Sequence, residues 1–359
     1  MPNFGLRPYT YAMENPVMRN QSWLGLGMTA GVCLTLAACE TTPAPVDADM
    51  RDAASASDTN SSGDTGNSSG DTGTSEDTGT ASDAGPDAPL GDAGNDAAVD
   101  GGPVMQAFSI RFAAQAGATP VSCGTPITNV GLAGGQTTDL VDFRFYVHNV
   151  ELLTASGVAV PLAIDNESPW QNNGVALLDF ENATGRCTGT ADLRDVVRGM
   201  APAGTYTGIR FVLGVPFAQN HADASTAAAP LNVTALFWNW QGGYKFARID
   251  TSTVVTGETR QAFNIHLGST GCDGTPAGGV TMCTEPNRPT VELSGFNPAT
   301  SVIIADFAQL VEGLDLRLNT AMTAPGCMSG VTDPECFEVL PSFGAPIGAR
   351  PAAQDFFHL

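Results

Sequence analysis

The sequence predicts an all-β domain, an antiparallel β-sandwich or barrel-like fold with disulfide-stapled loops, set behind a long polar tether. Three observations carry that prediction. Only 14% of the 359 residues are charged, while 41 are Gly and 24 are Pro, a balance that favours short strands joined by turns. Alternating apolar runs recur from residue 107 onward without the strand–helix rhythm of a parallel sheet. Six cysteines lie between positions 123 and 336, an even set suited to disulfides in an exported chain.

The N-terminus reads as a processing signal. Trp23 to Ala38 is an uncharged apolar run preceded by Arg19, shorter than the ~20 residues a membrane-spanning helix requires. It closes on Leu36-Ala37-Ala38-Cys39, the pattern of a bacterial lipoprotein signal in which Cys39 is acylated and becomes the mature N-terminus. Residues 1–38 are therefore expected to be removed and Cys33 to have no role. The stretch before Met13 or Met18 lacks signal character, which leaves the true start open. The expected address is the cell envelope, lipid-anchored at the outer membrane, on its periplasmic side or at the cell surface.

Residues 39–102 form a low-complexity Gly/Ser/Asp/Thr segment with no aromatic residue and 14 acidic residues against one Arg. Such a composition buries too little apolar surface to offset chain entropy, so disorder is expected. The net charge of the whole chain is −22, which argues against nucleic acid as a partner. The folded domain is expected over 103–359.

Within it, Ala107–Ala113 alternates Phe108, Ile110 and Phe112 with more polar neighbours. Asp142–Leu153 is the clearest strand; strict alternation puts Phe143, Phe145, Val147 and Asn149 on one face, and Tyr146, His148, Val150 and Leu152 on the other. Val175–Phe180, Gly208–Val215, Val291–Leu293 and Ser301–Phe307 continue the β pattern, and Asp192–Met200 reads as the one short helix. In Leu231–Asp250, Phe237-Trp238-Asn239-Trp240 reads as a strand and Gln241-Gly242-Gly243 as a turn. Tyr244–Ile249 then reads as the returning strand, and alternation would point Trp238 and Trp240 the same way.

The six cysteines allow fifteen pairings. Local spacing favours Cys272–Cys283 and Cys327–Cys336, which leaves Cys123 for Cys187. No C-x-x-C-H, zinc-ribbon spacing, G-x-S-x-G, P-loop or H-E-x-x-H occurs, so the chain carries no haem of its own and no recognised catalytic signature. Asp179 and Glu181 make a carboxylate pair without the aromatic pattern of a sugar site. Read alone, the W-x-W pair fills a β-core and each histidine is a hydrogen-bonded residue. Three of the four histidines, His148, His221 and His266, nevertheless fall on or beside strands able to converge on the hairpin; His358 lies in the tail. Imidazole ligands in an exported protein suit copper or zinc.

FRFYVHNVELL, WQNNGVALLDFE, GTYTGIRFVLGVPFAQNH, AAPLNVTALFWNWQGGYKFARID, FNIHLGSTGC and the later cysteines resemble the metallo-mystery-pair four-Cys motif proteins, the MbnP-like family, over most of 105–345. The resemblance implies a copper-associated envelope protein that is not itself an enzyme. Its partner would be a di-haem, MbnH-like enzyme related to cytochrome c peroxidases and MauG, which oxidises a tryptophan to kynurenine. Carried over, the ligands are His148, His221 and His266, the modified residue is Trp240 or Trp238, and the namesake cysteines are Cys272, Cys283, Cys327 and Cys336. Leu236-Phe237 stands where a methionine would be expected before the W-x-W. Two other classes compete: a metal-independent carbohydrate- or peptide-binding lipoprotein with Trp170, Trp238 and Trp240 as a platform, and a metal-dependent hydrolase, against which the lack of a placed general base weighs.

Overall fold

Eighteen residues, Gln136–Leu153, make the strand on which the domain is built. Its β-branched and aromatic residues suit a pleated surface buried on both sides, and Phe143 through His148 are buried or nearly so. A computed structural model describes residues 102–359. The expectations for the signal peptide, Cys39 and the acidic tether lie outside the described residues.

One sheet runs in hydrogen-bonded succession through Thr290–Ser294, Gly208–Leu213, Gln136–Leu153, Ala247–Thr256, Thr259–Leu267 and Gly326–Cys327. The second runs through Phe357–His358, Val302–Asp306, Met105–Ala116, Val196–Pro202 and Ala163–Ile164. Phe112 of the second sheet meets Phe145 and Phe211 of the first edge-on, with ring centroids 5.9 and 5.7 Å apart. Phe357 closes on the same three rings. This aromatic layer is the core of an all-β sandwich; burying each such ring is worth roughly 1.5–3 kcal/mol.

Outside the tryptophan hairpin, four departures from the sequence reading stand out. Pairing is largely antiparallel, but Val302–Asp306 runs parallel to Met105–Ala116 and Gly326–Cys327 parallel to Thr259–Leu267. Asp192–Met200 is not a helix: Val196–Pro202 is a strand paired with Met105–Arg111, and Val197, Gly199 and Ala201 alternate inward. Sheet pairing outweighs the weak helical spacing there. The eight-residue helix Cys336–Phe343 lay unread between its cysteine and Gly344. Finally, Asn149 takes φ +50°, and the register slips between His148↔Val212 and Glu151↔Arg210. This bulge inserts one residue, so Leu152, opposite Ile209, shares the inner face with Phe145 and Val147 rather than the His148 face.

The three disulfides are Cys123–Cys187, Cys272–Cys283 and Cys327–Cys336, the pairing that local spacing favours. In the chain-entropy model each is worth roughly 2–4 kcal/mol.

The outer face of the main sheet is charged and buried. Register aligns Asp179, Arg144, Arg248 and His266 in one row across four strands, with Asp142 and Asp250 in the next. Arg144 Nε donates to Asp142 at 2.8 Å, Arg248 reaches Asp142 at 3.1 Å and Asp250 at 2.7 Å, and His266 Nε2 lies 2.8 Å from Asp250. Glu181 faces Arg144 at 3.9 Å and accepts the N–H groups of Ala183, Gly189 and Thr190. The Asp179–Glu181 pair is thus wired into this network. Burial, together with the nearby Glu181 and Asp142 charges, outweighs a backbone N–H and Arg144 and pushes Asp179 up to about 7.

A carboxyl raised in the folded state holds a proton that the unfolded chain releases, so its contribution is full below about pH 4 and is lost as pH rises through about 7. Urea titrations should show Asp179→Asn becoming less destabilised, or more stable, relative to wild type as pH rises from 4 to 8, by up to ~4 kcal/mol. A pH-independent difference would refute the shift.

Candidate functional site

The tryptophan hairpin is shorter than its sequence suggests. Phe237–Asn239 pairs with Gly243–Tyr244, and Trp240, Gln241 and Gly242 form the turn. Asn239 Oδ1 makes that turn by accepting the N–H groups of Gln241 at 2.9 Å and Gly242 at 2.8 Å. Gly243 sits at φ +72°, where an added Cβ would strike Asn220. The strand ends at Asn239, so alternation does not relate Trp240 to Trp238. The expected return strand is likewise split: Gly243–Tyr244 stay with the hairpin, and from Ala247 the chain joins the main sheet.

Trp238 lies over Gly268, where a Cβ would come within 2.4 Å of Cζ3, and its ring centroid is 6.4 Å from that of His266. It borders a concavity of about 380 Å³ whose other walls include Gln241, Ser269, Cys272 and Met328. Trp240 is 37% exposed, and its carbonyl oxygen is 3.2 Å from His221 Nδ1.

Each histidine has one nitrogen committed to an acceptor. His148 Nδ1 meets the Gly214 carbonyl at 2.8 Å and His221 Nδ1 the Trp240 carbonyl. A carbonyl only accepts, so in the neutral rings Nδ1 carries the proton and Nε2 the lone pair. His221 Nε2 also lies 3.1 Å from the Asn220 amide nitrogen. Burial, then the Arg288 charge, lowers both pKa values despite the hydrogen bond each ring makes to a carbonyl, which favours the metal-binding neutral form. His266 is tied the other way round, Nε2 to Asp250, and its Nδ1 is buried without a partner. Asp250 is pushed up by burial, but the hydrogen bond from His266 and the charge and hydrogen bond of Arg248 outweigh it and hold Asp250 below the ordinary carboxylate range. A nitrogen anchored to carbonyl or carboxylate with the other left open is the usual arrangement of a metal-ligating imidazole.

The three imidazoles do not form one tight shell. Among the described residues, only His221–Cys272–Cys283 and Cys123–Glu181–Cys187 bring three such groups within 4.8 Å of one another, and each contains a disulfide. His148 and His221 share the influence of Arg288, while His266 belongs to the charged row beside Trp238. His358 is paired in the last strand, 3.3 Å from Asp306. Trp170 packs against the core. Asp250, Gly268, Arg288 and Met328 were not singled out from the sequence; Ala247-Arg248-Ile249-Asp250 shows alternation, but only the register reveals that Asp250 faces His266.

A family model for MbnP matches residues 105–329. Among solved structures, MbnP from Methylosinus trichosporium is similar with a TM-score of 0.63 and 31% sequence identity, over 71% of this chain and 98% of that one. No curated protein matches the sequence.

The seat of Trp238 is testable. In a chain without residues 1–38, and so without Trp23, in which Trp170 and Trp240 are Phe, Gly268→Ala should displace the indole, shift its emission to longer wavelength and cost about 1–3 kcal/mol. Unchanged emission and stability would mean that the ring does not rest there.

Proposed function

The chain belongs to the MbnP family, and from that premise we propose that it is an exported, copper-binding protein, lipid-anchored through Cys39, and the substrate of a di-haem partner that oxidises Trp238 or Trp240 to kynurenine. It acts as a metal-binding protein and not as a catalyst. The observation that carries this reading is the indole of Trp238 seated 6.4 Å from His266, an imidazole whose inner nitrogen is buried and unpartnered.

Chemistry supports the pairing of modification and metal. Indole offers an N–H donor and no lone pair in the ring plane. Addition of two oxygen atoms across the C2–C3 bond, supplied through the partner from two equivalents of peroxide that leave as two waters, followed by hydrolytic loss of formate, leaves an aniline nitrogen and a ketone able to face a cation. Trp238 suits the ligand role by its place beside His266. Trp240, with 37% of its surface exposed, suits electron departure toward a partner. Copper when bound would add a centre for imidazole and aniline nitrogen. This chain's part is to hold His148, His221 and His266 in the tautomers set by Gly214, Trp240 and Asp250. Because these rings do not share one 4.8 Å shell, the reading assigns copper to a subset of them together with the modified residue. The competing platform of three tryptophans is disfavoured by Trp170, which packs against the core.

Copper titration of the full chain after incubation with its di-haem partner, and of the His148→Ala, His221→Ala, His266→Ala, Trp238→Phe and Trp240→Phe variants, should separate ligands from core residues. Loss of a ligand should weaken binding about 10-fold or more. Mass spectrometry should place a gain of about 4 Da on one hairpin tryptophan, the balance of two oxygens gained and CO lost. Equal affinity in all variants, or an unmodified hairpin beside an active partner, would overturn the assignment.

Anchoring is tested separately. Cys39→Ala should release the protein from the membrane fraction and from the detergent phase; unchanged partitioning would count against acylation.

A further inference from the structure

Thr270–Thr275 and Gly279–Glu285 form a second hairpin whose register sets Cys272 directly opposite Cys283. His221 Nε2 reaches this disulfide, 3.7 Å from Cys283 Sγ, and the imidazole nitrogen and both sulfurs lie within 4.8 Å of one another. We propose that reductive opening of Cys272–Cys283 turns this cluster into a two-thiolate, one-imidazole site for a soft d¹⁰ cation, Cu(I) or Zn(II). This site is distinct from the copper reading above: it shares His221 but requires no modified tryptophan.

The hairpin keeps the donors together after the bond is broken. Opposed residues of an antiparallel pair point to the same face with Cα atoms about 4.5–5.5 Å apart, so two free thiols there remain neighbours. The strands are held on either side of the cysteines by Thr270↔Glu285 and Asp273↔Met282. Gln241 Nε2 donates to the Cys272 carbonyl at 2.8 Å, fixing the hairpin to the tryptophan turn. The same turn fixes the imidazole, since the Trp240 carbonyl accepts the Nδ1–H hydrogen bond and leaves Nε2 toward the sulfurs. The amide nitrogen of Asn220, 3.1 Å from Nε2, is the one group a cation would displace.

The second cluster lacks this character. Its Glu181 already accepts three backbone N–H groups and faces Arg144. Cys327 and Cys336 are fully buried, whereas Cys283 and His221 are half-buried and within reach of a reductant.

The reductant is a dithiol of the thioredoxin class. One of its thiolates attacks a hairpin sulfur and its second thiol resolves the mixed disulfide. Two electrons and two protons pass to Cys272 and Cys283, and the dithiol leaves as a disulfide. Metal loading then releases the two thiol protons, with no change in the oxidation state of the metal. Two thiolates and one neutral imidazole make a soft donor set with a position left open for a further ligand.

The test uses Co(II) as a spectroscopic probe on the lipidated chain from Cys39 onward, in which Cys33 is removed and the Cys39 thiol is acylated, anaerobically, before and after mild dithiol treatment. The oxidised protein should titrate no thiols and give no sulfur-to-cobalt charge-transfer band. Treatment should free two thiols, mapped by alkylation to Cys272 and Cys283, and the band should appear. It should be absent from Cys272→Ser/Cys283→Ser, and His221→Ala should weaken Co(II) binding about 10-fold or more. Alkylating the reduced wild type before adding Co(II) gives the same control without substitution and should also abolish the band. Release of other cysteines first, two freed thiols without a band, or a band that survives alkylation would each overturn the proposal. Copper titration of oxidised His148→Ala and His266→Ala reads the other site, so either assignment can fail while the other stands.

Discussion

The sheet that carries the site is buried on both faces, and on the outer one the burial includes charge. Desolvating a carboxylate or guanidinium costs several kcal/mol unless it is paired and its remaining hydrogen-bonding capacity is met. Asp142 meets that requirement with Arg144 and Arg248, and Asp250 with Arg248 and His266. These pairs exist only in one register of Gln136–Leu153, Ala247–Thr256 and Thr259–Leu267. A one-residue slip would turn the phenylalanines outward and the charges into the aromatic layer. The same register sets His266 in its row and turns its unpaired nitrogen to the buried side.

Everything covering that face answers to the same constraint. The segment after Val175–Asp179 turns so that three backbone N–H groups meet Glu181, and Gly189 stands where any Cβ would collide with that carboxylate. Cys123–Cys187 closes the segment covalently. At the other end of the row, the tryptophan hairpin needs side-chain-free positions at Gly243 and Gly268 to bring a bicyclic ring and a tight turn against the sheet. The glycines of this region record close approach, and the hairpin has little freedom to sit elsewhere.

Much of the fold was legible because period-two alternation and turn residues are local properties. AFSIRFA, DFRFYVHNVELL and the GIRFVL of GIRFVLGV form strands, and the cysteine spacings favoured two of the three pairings and left the third. What was not legible depends on pairing between distant segments. The Asn149 bulge reverses the face of Leu152, and Val196–Pro202 is a strand because Met105–Arg111 lies beside it. The site divides in the same way. The histidines and tryptophans stand out by type, but the Asp250 contact, the Gly268 seat and the contact of His221 with Cys283 bring together residues 16, 30 and 62 positions apart.

His221 joins the two hairpins that the sequence presents as separate features. Its Nδ1 is spent on the tryptophan turn, and its Nε2 faces the cysteine hairpin, so one ring reports on both. Gln241 doubles the link by carrying a hydrogen bond from the turn to the Cys272 carbonyl. A change at Trp240 or in its turn therefore moves the acceptor that sets the His221 tautomer, and with it the nitrogen presented to the sulfurs. Conversely, opening the disulfide leaves that nitrogen facing thiols in place of a neutral S–S bond. The two proposed chemistries meet at a single imidazole, and coupling through such a group is reciprocal: whatever the tryptophan turn did to the free energy of a cation at His221, that cation would do to the turn.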